Sequence, residues 1–450
     1  MLNKRVAFLT LGCKVNSYET DAMEQLFEKE GYEIVKFSDV ADIYVVNTCS
    51  VTNMADRKSR QMLHKARKNN SEAVVVAVGC YVQAAKEEVQ KDQAIDLVIG
   101  NNKKKEIVSI VESYINDNRF NMNNSVIDIN DNKGSLLYED LNIDKTEENT
   151  RAYIKIQDGC NQFCSYCIIP YVRGRIRSRK KEDIIKEVKE LVDNGYKEVV
   201  ITGIHISSYG LDFIGEKVKG FRYEYLLEVI ESIAAISGIE RIRLGSLEPR
   251  IISEEFIKKL SGIDKVCPHF HLSLQSGCDE TLKRMNRKYT TKEFLEGCNI
   301  LRKYYVNPAL TTDVIVGFAG ETEEEFQQTY RFLKEIKFAQ MHIFKYSKRK
   351  GTVAEKMPNQ VSEDIKTKRS KLLLEMNNNN TNEYINLFVN DTEEVLFEEK
   401  VNINNNEYYI GHTKRYVKVA AQSKINLENT IKSINVTGQL TNDILEGKLI

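Results

Sequence analysis

Two series of alternating strand and helix patterns constrain the fold of this chain more than any other feature. In the first hundred residues, short apolar runs rich in β-branched residues alternate with helical patterns. The strands predicted there are 6–10, 42–47, 73–78 and 96–99. Apolar runs of this kind between helices are typical of a parallel sheet covered on both faces. The sequence therefore predicts an N-terminal parallel α/β domain over residues 1–115.

The second series begins near residue 151, after a stretch rich in Asn, Asp and Glu that we interpret as a linker over residues 116–145. The strands predicted in this series are 153–157, 198–203, 241–245, 269–274, 310–316 and 340–344. Six strand–helix units in succession indicate a partial parallel (β/α) barrel, with its chemistry at the carboxyl ends of the strands. We expect this central domain to span residues 146–374.

The pattern changes again after residue 374, at a run of four asparagines. Short strands predicted at 395–398, 408–412, 416–420 and 430–436 favour a small all-β barrel of the oligonucleotide-binding type over residues 376–440. Lys414, Arg415 and Lys418 lie next to Tyr416 there, and cations beside an aromatic ring are typical of nucleic-acid-binding surfaces. We predict that these three cations contact RNA.

Composition places the chain among ordinary globular proteins. It carries 65 basic and 65 acidic side chains, so any nucleic-acid-binding face must be local. One local basic run contains Arg173, Arg175 and Arg177, and it is either a solvated loop or an RNA contact. No run of 18 apolar residues occurs, which predicts no membrane-spanning helix. We expect a cytoplasmic protein, in which nine cysteines favour metal or redox chemistry over disulfides.

The cysteine triplet of the central domain is the most specific motif. Cys160, Cys164 and Cys167 lie in one loop directly after a predicted strand, so their thiols can converge. A cubane iron–sulfur cluster held by three thiolates keeps one iron open for a cofactor. The alternative is a structural zinc site, which requires a fourth ligand that the neighbouring sequence does not supply.

A second trio is scattered along the N-terminal domain. Cys13, Cys49 and Cys80 each follow one of the first three predicted strands. In an open parallel sheet the carboxyl ends of the strands share one edge, so these loops can form a second three-thiol site. The alternative is that they are buried small hydrophobic residues, as free cysteines usually are. We interpret the three remaining cysteines as structural: Cys267, Cys278 and Cys298.

Small and polar residues follow several strands of the central domain. They occur in the segments 202–205, 245–249, 274–277 and 313–320. Glycines at such positions let a nucleoside or an amino-acid group approach the backbone. His205, His269 and His271 are interpreted as hydrogen-bonded structural histidines rather than ligands or bases.

These motifs together resemble the radical S-adenosylmethionine (SAM) methylthiotransferases. The resemblance rests on Cys-x₃-Cys-x₂-Cys with Phe163 and Tyr166, and on Thr10-Leu-Gly-Cys-Lys-Val-Asn16, Asn47-Thr-Cys49 and Gly79-Cys80. It covers essentially the whole chain and makes the terminal barrel similar to TRAM RNA-binding modules. Two departures, Ala319 in place of the usual Pro and Gly245 in place of the usual Ser, remove no cluster ligand.

The resemblance implies two [4Fe-4S] clusters and SAM as cofactors. The cluster on Cys160, Cys164 and Cys167 would bind SAM, whose reductive cleavage gives a 5′-deoxyadenosyl radical. The cluster on Cys13, Cys49 and Cys80 would hold or supply the sulfur. The candidate SAM contacts implied are Tyr166, Gly203, Ser246, Glu248, Gln275, Asp313 and Gly317.

The resemblance is strongest to the branch that modifies C2 of N6-threonylcarbamoyladenosine at position 37 of tRNA. The residues that favour this branch are 10–16, 202–205 and 282–289. The implied partners are the tRNA anticodon loop, contacted by Arg173, Arg175 and Arg177, and a one-electron reductant such as flavodoxin or ferredoxin. Two alternatives remain: the same chemistry on isopentenyladenosine or a ribosomal protein, and a non-catalytic iron–sulfur RNA-binding protein.

Overall fold

The computed structural model describes residues 4–116, 126–128, 137–146, 150–214 and 222–450. Its chain divides into two compact units. Unit 1 comprises Met1–Thr146, Lys155–Lys180 and Ser347–Glu355, and unit 2 comprises Glu147–Ile154, Lys181–Tyr346 and Lys356–Ile450. Most of the linker predicted over 116–145 lies outside the described residues.

Unit 1 is built on a six-stranded sheet in which all neighbouring strands are parallel. In space the strands follow the order β2-β1-β3-β4-β5-β6. Their bounds are β1 Arg5–Thr10, β2 Glu33–Val35, β3 Ile43–Thr48, β4 Val74–Gly79, β5 Leu97–Ile99 and β6 Val126–Asp128. The four strands predicted for this region are confirmed. The short strands β2 and β6 were not predicted, because three residues carry too little periodicity.

Helices cover both faces of this sheet. They are α1 Lys14–Lys29, α2 Asn53–Asn69, α3 Cys80–Ala84, α4 Lys86–Gln90 and α5 Ile107–Asn116. Along β4, Val74, Val76 and Val78 pack into one apolar layer, whereas Val75 and Ala77 pack into the other. A strand buried on both sides explains why its sequence is a continuous apolar run.

The remaining elements of unit 1 come after the six sheet strands along the chain. Strand β7 (Arg151–Asp158) crosses the division of the chain, and its second half lies in unit 1, where it pairs antiparallel with β8 (Arg177–Ser178). The short helix α6 (Ile169–Val172) lies between them in sequence. The segment 137–146 packs on α1, because Leu141 and Ile143 are buried and the Tyr18 hydroxyl donates to the Leu141 carbonyl oxygen.

Unit 2 contains the remaining strands of the partial barrel. They are β9 Glu198–Gly203, β10 Arg241–Leu244, β11 His269–His271, β12 Ala309–Val316 and β13 Gln340–Lys345. Strand β9 lies between β7 and the parallel β10, while β11, β12 and β13 are parallel neighbours. A parallel bridge between Leu247 and Leu272 continues the strand order from β10 to β11. The predicted partial (β/α) barrel is confirmed.

Helices alternate with these strands and bury their apolar faces. They are α7 Lys181–Asp193, α8 Tyr223–Ala234, α9 Glu254–Ser261, α10 Asp279–Arg284, α11 Thr291–Tyr304 and α12 Glu323–Ile336. Helices α11 and α12 both begin with a capping box, formed by Thr290 with Glu293 and by Thr322 with Glu325. These caps satisfy backbone N–H groups that the first turn leaves without helical partners.

The last part of unit 2 is a closed five-stranded barrel. Its strands are β14 Thr392–Ile403, β15 Asn406–Thr413, β16 Lys418–Ala421, β17 Ile431–Thr441 and β18 Ile444–Leu449, in the order β14-β15-β16-β18-β17. Strand β18, beyond the end predicted for this domain, lies between β16 and β17 and completes the barrel. Helix α13 (Glu363–Asn386) runs without interruption through the four asparagines, because Leu373, Met376 and Ile385 on it are buried.

No helix in the described ranges is long and apolar enough to cross a membrane.

Candidate active site

Three cysteines lie together at the carboxyl edge of the unit 1 sheet. Strands β1, β3 and β4 are adjacent, and the loops after them carry Cys13, Cys49 and Cys80. Gly12 and Gly79 precede two of these cysteines with positive φ angles of 110° and 99°. A Cβ on Gly12 would lie 2.8 Å from the Cys49 sulfur. Glycine is therefore needed at position 12 so that the first two loops can meet.

Two asparagines fix these loops to one another. The Asn16 side-chain amide donates to the Leu11 carbonyl oxygen at 2.6 Å and to the Thr48 carbonyl oxygen at 3.1 Å. Asn47 in turn donates to the Asn16 carbonyl oxygen at 3.0 Å. Both asparagines are buried. The sequence motifs contained them, but only the structure reveals that they hold the cysteine-bearing loops.

Three further cysteines lie in the loop after β7, and this loop also belongs to unit 1. Cys160, Cys164 and Cys167 are each partly exposed. The Cys167 N–H donates to the Cys164 carbonyl oxygen at 3.0 Å, and the Gln162 N–H donates to the Cys160 sulfur at 3.4 Å. An N–H directed at sulfur stabilises the thiolate form, which is the form that binds metal.

Steric fit fixes the course of this loop. Gly159 has φ +70°, and a Cβ there would lie 1.9 Å from the Arg175 carbonyl oxygen. Phe163 also has a positive φ of 49°, and its ring lies under the Arg175 guanidinium at 4.5 Å. The loop therefore turns sharply at two positions between β7 and the third cysteine.

The two trios are neighbours within unit 1. Cys80 belongs to a small buried apolar cluster with Ile168 and Val172. Ile168 directly follows Cys167 in sequence, and Val172 ends helix α6. Cys80, which begins α3, therefore packs on residues that come shortly after Cys167 in the sequence.

A buried ion-pair network lies beneath the second trio. Glu19 of α1 pairs with Lys104 at 2.7 Å, with Lys155 at 2.7 Å and with Arg173 at 2.8 Å. Asp158 pairs with Lys155 at 2.7 Å and with Arg173 at 3.1 Å. Every one of these side chains is at most 4% exposed. Burial alone would raise the pKa of Glu19, but these cations hold that pKa well below its usual range.

Arg173 also reaches the second trio directly. Its Nε donates to the Cys80 sulfur at 3.3 Å, and its Nη2 donates to the Asn16 side-chain oxygen at 2.8 Å. The prediction that Arg173 contacts RNA phosphate is wrong, because its side chain is completely buried among these partners. It is wrong for Arg177 also, which is 4% exposed and directed at Asp158. Arg175, by contrast, is exposed.

The predicted SAM contacts of unit 2 include one buried carboxylate. Glu248 follows β10, and its oxygens face His205 at 3.5 Å, Arg250 at 2.8 Å and Arg287 at 3.4 Å. Burial alone would raise the pKa of Glu248, but the His205 hydrogen bond and the two arginines lower it to about 2. Glu248 is therefore a fixed negative charge with oriented oxygens.

The other candidates in unit 2 occupy varied environments. Ser246 is exposed and shares a 2.6 Å hydrogen bond with Ser273, whereas Gly203 is partly buried. Gln275 has φ +71°, and its backbone pairs with β12 around Asp313.

Gly317 is more restricted than the other candidates. Its N–H donates to Glu321 at 2.6 Å, and a Cβ on it would lie 2.3 Å from the Lys366 side chain. In unit 1, Tyr166 is partly buried. These observations do not test SAM binding, so the seven SAM contacts stay predictions.

The terminal-barrel cations contact residues of unit 2. Lys414 donates to the Asp264 carbonyl oxygen at 3.3 Å, Arg415 pairs with Glu393 at 2.9 Å, and Lys418 pairs with Asp443 at 3.6 Å.

Two buried arginines of β10 bind the terminal barrel beside the turn that carries Lys414 and Arg415. Arg241 and Arg243 donate to backbone carbonyl oxygens of this barrel, and Arg243 lies 4.8 Å from the Tyr416 ring centre. Tyr416 is thus occupied by protein contacts, while RNA binding by Lys414, Arg415 and Lys418 stays a prediction.

Comparison with known proteins identifies the family. Residues 154–333 match the Radical SAM superfamily, and residues 5–100 match the uncharacterized protein family UPF0004. The chain is 40% identical over 432 residues to the threonylcarbamoyladenosine tRNA methylthiotransferase MtaB of Bacillus subtilis, which covers 96% of this chain and 93% of the relative. The Thermotoga maritima MtaB is 34% identical and covers 99% of both chains. This chain belongs to the radical SAM methylthiotransferase family.

Other relatives and solved structures agree with this fold. A tRNA-2-methylthio-N(6)-dimethylallyladenosine synthase of Thermoanaerobacter is 39% identical over 82% of this chain and 77% of its own. The radical SAM methyltransferase TsrM of Kitasatospora setae, solved with cobalamin and a [4Fe-4S] cluster, superposes with a TM-score of 0.56. That structure is 15% identical, covers 76% of this chain and 75% of its own, and supports the fold alone.

Both trios of this methylthiotransferase fit cubane clusters better than single ions. Three thiolates around one tetrahedral zinc ion lie about 3.8 Å apart, given zinc–sulfur bonds of about 2.3 Å. Among the described residues, neither cysteine trio has its three sulfur atoms within 4.8 Å of one another. A cubane, which takes each thiolate on a different iron, suits this wider spacing.

The charges around the second trio also fit a cluster. Direct ion pairs below it join two carboxylates to four cations: Lys104, Lys155, Arg173 and Arg177. This excess of positive charge complements the negative charge of a cluster held by three thiolates. The family therefore implies two [4Fe-4S] clusters and SAM, and the cysteine sites are compatible with the clusters.

Proposed function

We propose that this protein is a tRNA methylthiotransferase that adds a methylthio group to C2 of N6-threonylcarbamoyladenosine at position 37. The observation that carries the proposal is the match to MtaB of Bacillus subtilis, which extends over 96% of this chain. Two further MtaB relatives are 43% and 34% identical over 84% and 99% of this chain, whereas the dimethylallyladenosine relatives are 34–39% identical over 82–88% of it. Identities of 40% and 43% to two MtaB proteins support the threonylcarbamoyl substrate.

The two cysteine trios divide the chemistry between them. Cys160, Cys164 and Cys167 would hold the cluster that binds SAM, and this pair would supply the radical chemistry that the unactivated C2–H bond of the adenine ring requires. Cys13, Cys49 and Cys80 would hold the second cluster, which would carry the sulfur. The packing of Cys80 on Ile168 supports this division, since it keeps the two sites close within one unit.

The remaining side chains bind and orient the substrates. Tyr166, Gly203, Ser246, Glu248, Gln275, Asp313 and Gly317 are proposed SAM contacts. Among them, Glu248 offers a permanently ionised carboxylate to a hydroxyl or ammonium group. Arg175 of unit 1 and Lys414, Arg415 and Lys418 of the terminal barrel are proposed to contact the tRNA. A flavodoxin or ferredoxin supplies the electron, and the reaction takes place in the cytoplasm.

Mass spectrometry of tRNA nucleosides tests the substrate. A deletion strain is expected to lack 2-methylthio-N6-threonylcarbamoyladenosine and to retain the methylthio-isopentenyl nucleoside. Plasmid-borne wild-type protein restores the missing nucleoside, whereas Cys160→Ala does not. Cys298→Ala, which removes a buried thiol of helix α11, serves as the matched control and restores it.

Two outcomes would contradict the proposal. Loss of the isopentenyl nucleoside alone would assign the protein to the other tRNA branch. Failure of the anaerobically reconstituted protein to release 5′-deoxyadenosine from SAM would favour a non-catalytic RNA-binding protein. The two measurements are independent, so each outcome identifies which part of the proposal fails.

A further inference from the structure

Three strands of the partial barrel bring two histidines and an aspartate together. His271 ends β11, Asp313 lies in β12, and His342 lies in β13, which are neighbouring parallel strands of unit 2. Each of the three residues offers one ligand atom, and these three atoms all lie within 4.8 Å of one another. In the part of the chain that the structure describes, no other three His, Cys, Asp or Glu side chains meet this spacing.

Strand register places the three side chains on one face of the sheet. His271 pairs with Thr311 across β11 and β12, and Asp313 pairs with His342 across β12 and β13. Residues two apart on a strand point to the same side, so Thr311 and Asp313 share a face. Backbone pairing, rather than flexible loops, therefore determines the positions of the three side chains.

The spacing of the atoms matches a small metal ion. His271 Nε2 lies 3.4 Å from Asp313 Oδ2. With metal–nitrogen and metal–oxygen bonds of about 2.0–2.2 Å, two ligand atoms of a tetrahedral ion lie roughly 3.3 Å apart. The imidazole and the carboxylate are thus already separated by the distance that an ion between them requires.

A neighbouring hydroxyl orients the first histidine. His271 Nδ1 lies 3.0 Å from Thr311 Oγ1, so Nε2 is the nitrogen that faces Asp313. Histidines that bind metal usually have their other ring nitrogen hydrogen-bonded, which fixes the tautomer and the direction of the ring. Thr311 occupies that supporting position here.

We propose that His271, Asp313 and His342 bind one divalent first-row transition-metal ion of the zinc or iron(II) class. Two imidazoles and one carboxylate are a ligand set that such ions accept, and it leaves coordination positions open. An Asp313 carboxylate that binds the ion is not available to SAM, so this assignment replaces the SAM contact proposed for Asp313.

The open side of the ion is accessible. His342 is exposed, and the next pair along the same face consists of Ile315 and Phe344, whose ring is 44% exposed. An oxygen donor of a substrate can reach the ion beside this apolar surface. The assignment does not depend on which tRNA nucleoside is modified.

Zinc titration of the cluster-loaded protein tests the site. Clusters occupy the six cysteines during the titration, so added zinc reports on other sites. We expect the wild type to bind one zinc per chain and His342→Ala to bind it at least about a hundredfold more weakly. Thr311→Val, which removes only the supporting hydroxyl, should weaken binding by about 10–100-fold. Iron and sulfide analysis of each variant verifies that the clusters and the fold are retained.

The matched control is His64→Ala. His64 pairs with Asp92 at 2.9 Å in unit 1 but belongs to no three-ligand group among the described residues. Its loss should leave zinc binding unchanged. Equal affinity of the wild type and His342→Ala would overturn the assignment, and so would sulfur ligands in the zinc X-ray absorption spectrum.

Discussion

The Nε atom of Arg173 donates a hydrogen bond to the sulfur of Cys80 across 3.3 Å. Arg173 lies six residues after Cys167, so this bond joins the loop of one cysteine trio to a cysteine of the other. A hydrogen bond to a ligating sulfur stabilises the more negative, reduced form of a cluster. Arg173 is therefore positioned to adjust the reduction potential of the second cluster without touching either substrate.

Replacing this arginine should shift that potential. In a background that lacks Cys160, Cys164 and Cys167, only the second cluster contributes to the spectrum. Arg173→Lys keeps the charge but loses the Nε donor, so we expect a potential more negative on the order of tens of millivolts. An anaerobic redox titration followed by electron paramagnetic resonance measures it. Arg175→Lys, at the exposed neighbouring arginine, is the control, and equal shifts in both variants would disprove the role of the hydrogen bond.

Removing the shared carboxylate of the network should destabilise unit 1. Glu19→Gln leaves Lys155 and Arg173 with Asp158 as an ion-pair partner, and it removes the carboxylate that pairs with the buried Lys104. Loss of one member of a buried ion network costs roughly 3–5 kcal/mol of unfolding free energy. Glu28→Gln on the same helix breaks the exposed pair with Lys145 and should cost about 1 kcal/mol or less. Urea unfolding compares them, and similar losses in both would contradict the network.

The sequence patterns predicted the strands of the fold well. They did not predict the role of a side chain where that role depends on the residues that surround it. The four predicted strands of the first series form, because apolar β-branched runs between helices allow few other structures. Arg173 resembled an exposed basic residue, because a sequence does not reveal that Glu19 and Asp158 face it from 154 and 15 residues away.

Long-range pairing also limited what the sequence could predict. Strand β18 completes the terminal barrel by pairing with β16 and β17, which a local pattern of six residues does not indicate. His271 and His342 were not singled out as a pair, because only the register of three strands brings them together around Asp313. Asn16 and Asn47 lie in the sequence motifs around Cys13 and Cys49, yet only the structure reveals the hydrogen bond between them.

The ionised Glu248 should make stability depend on acid pH. Its pKa is about 2 in the folded protein and about 4.3 in an unfolded chain. A lowered pKa contributes stability that is complete above the unfolded value and is lost as the pH falls towards 2. The shift corresponds to about 3 kcal/mol. The difference in unfolding free energy between wild type and Glu248→Gln should therefore be largest above pH 5 and shrink below pH 4, and a constant difference would contradict this pKa.

Iron content should report on the two cysteine trios separately. Two four-iron clusters give about eight irons per chain after anaerobic reconstitution. Replacement of Cys13, Cys49 and Cys80 by alanine should lower this to about four and leave SAM cleavage measurable. The control replaces Cys267, Cys278 and Cys298, which are buried in unit 2, and should retain about eight. Four irons in the wild type would exclude a second cubane.

A single methyl group should be enough to remove the second cluster. At Gly12 an added Cβ would lie 2.8 Å from both Cβ and Sγ of Cys49, so Gly12→Ala separates the loops that carry Cys13 and Cys49. Gly31 is the matched control, because it also has a positive φ, +82°, but nothing lies within 4 Å of its Cβ position. Both variants bear the same kind of backbone strain, about 1 kcal/mol or more, and only Gly12→Ala adds a steric clash. Gly12→Ala should therefore bind about half the wild-type iron while Gly31→Ala binds all of it. Full iron in both would show that the cluster does not need the close approach of these two loops.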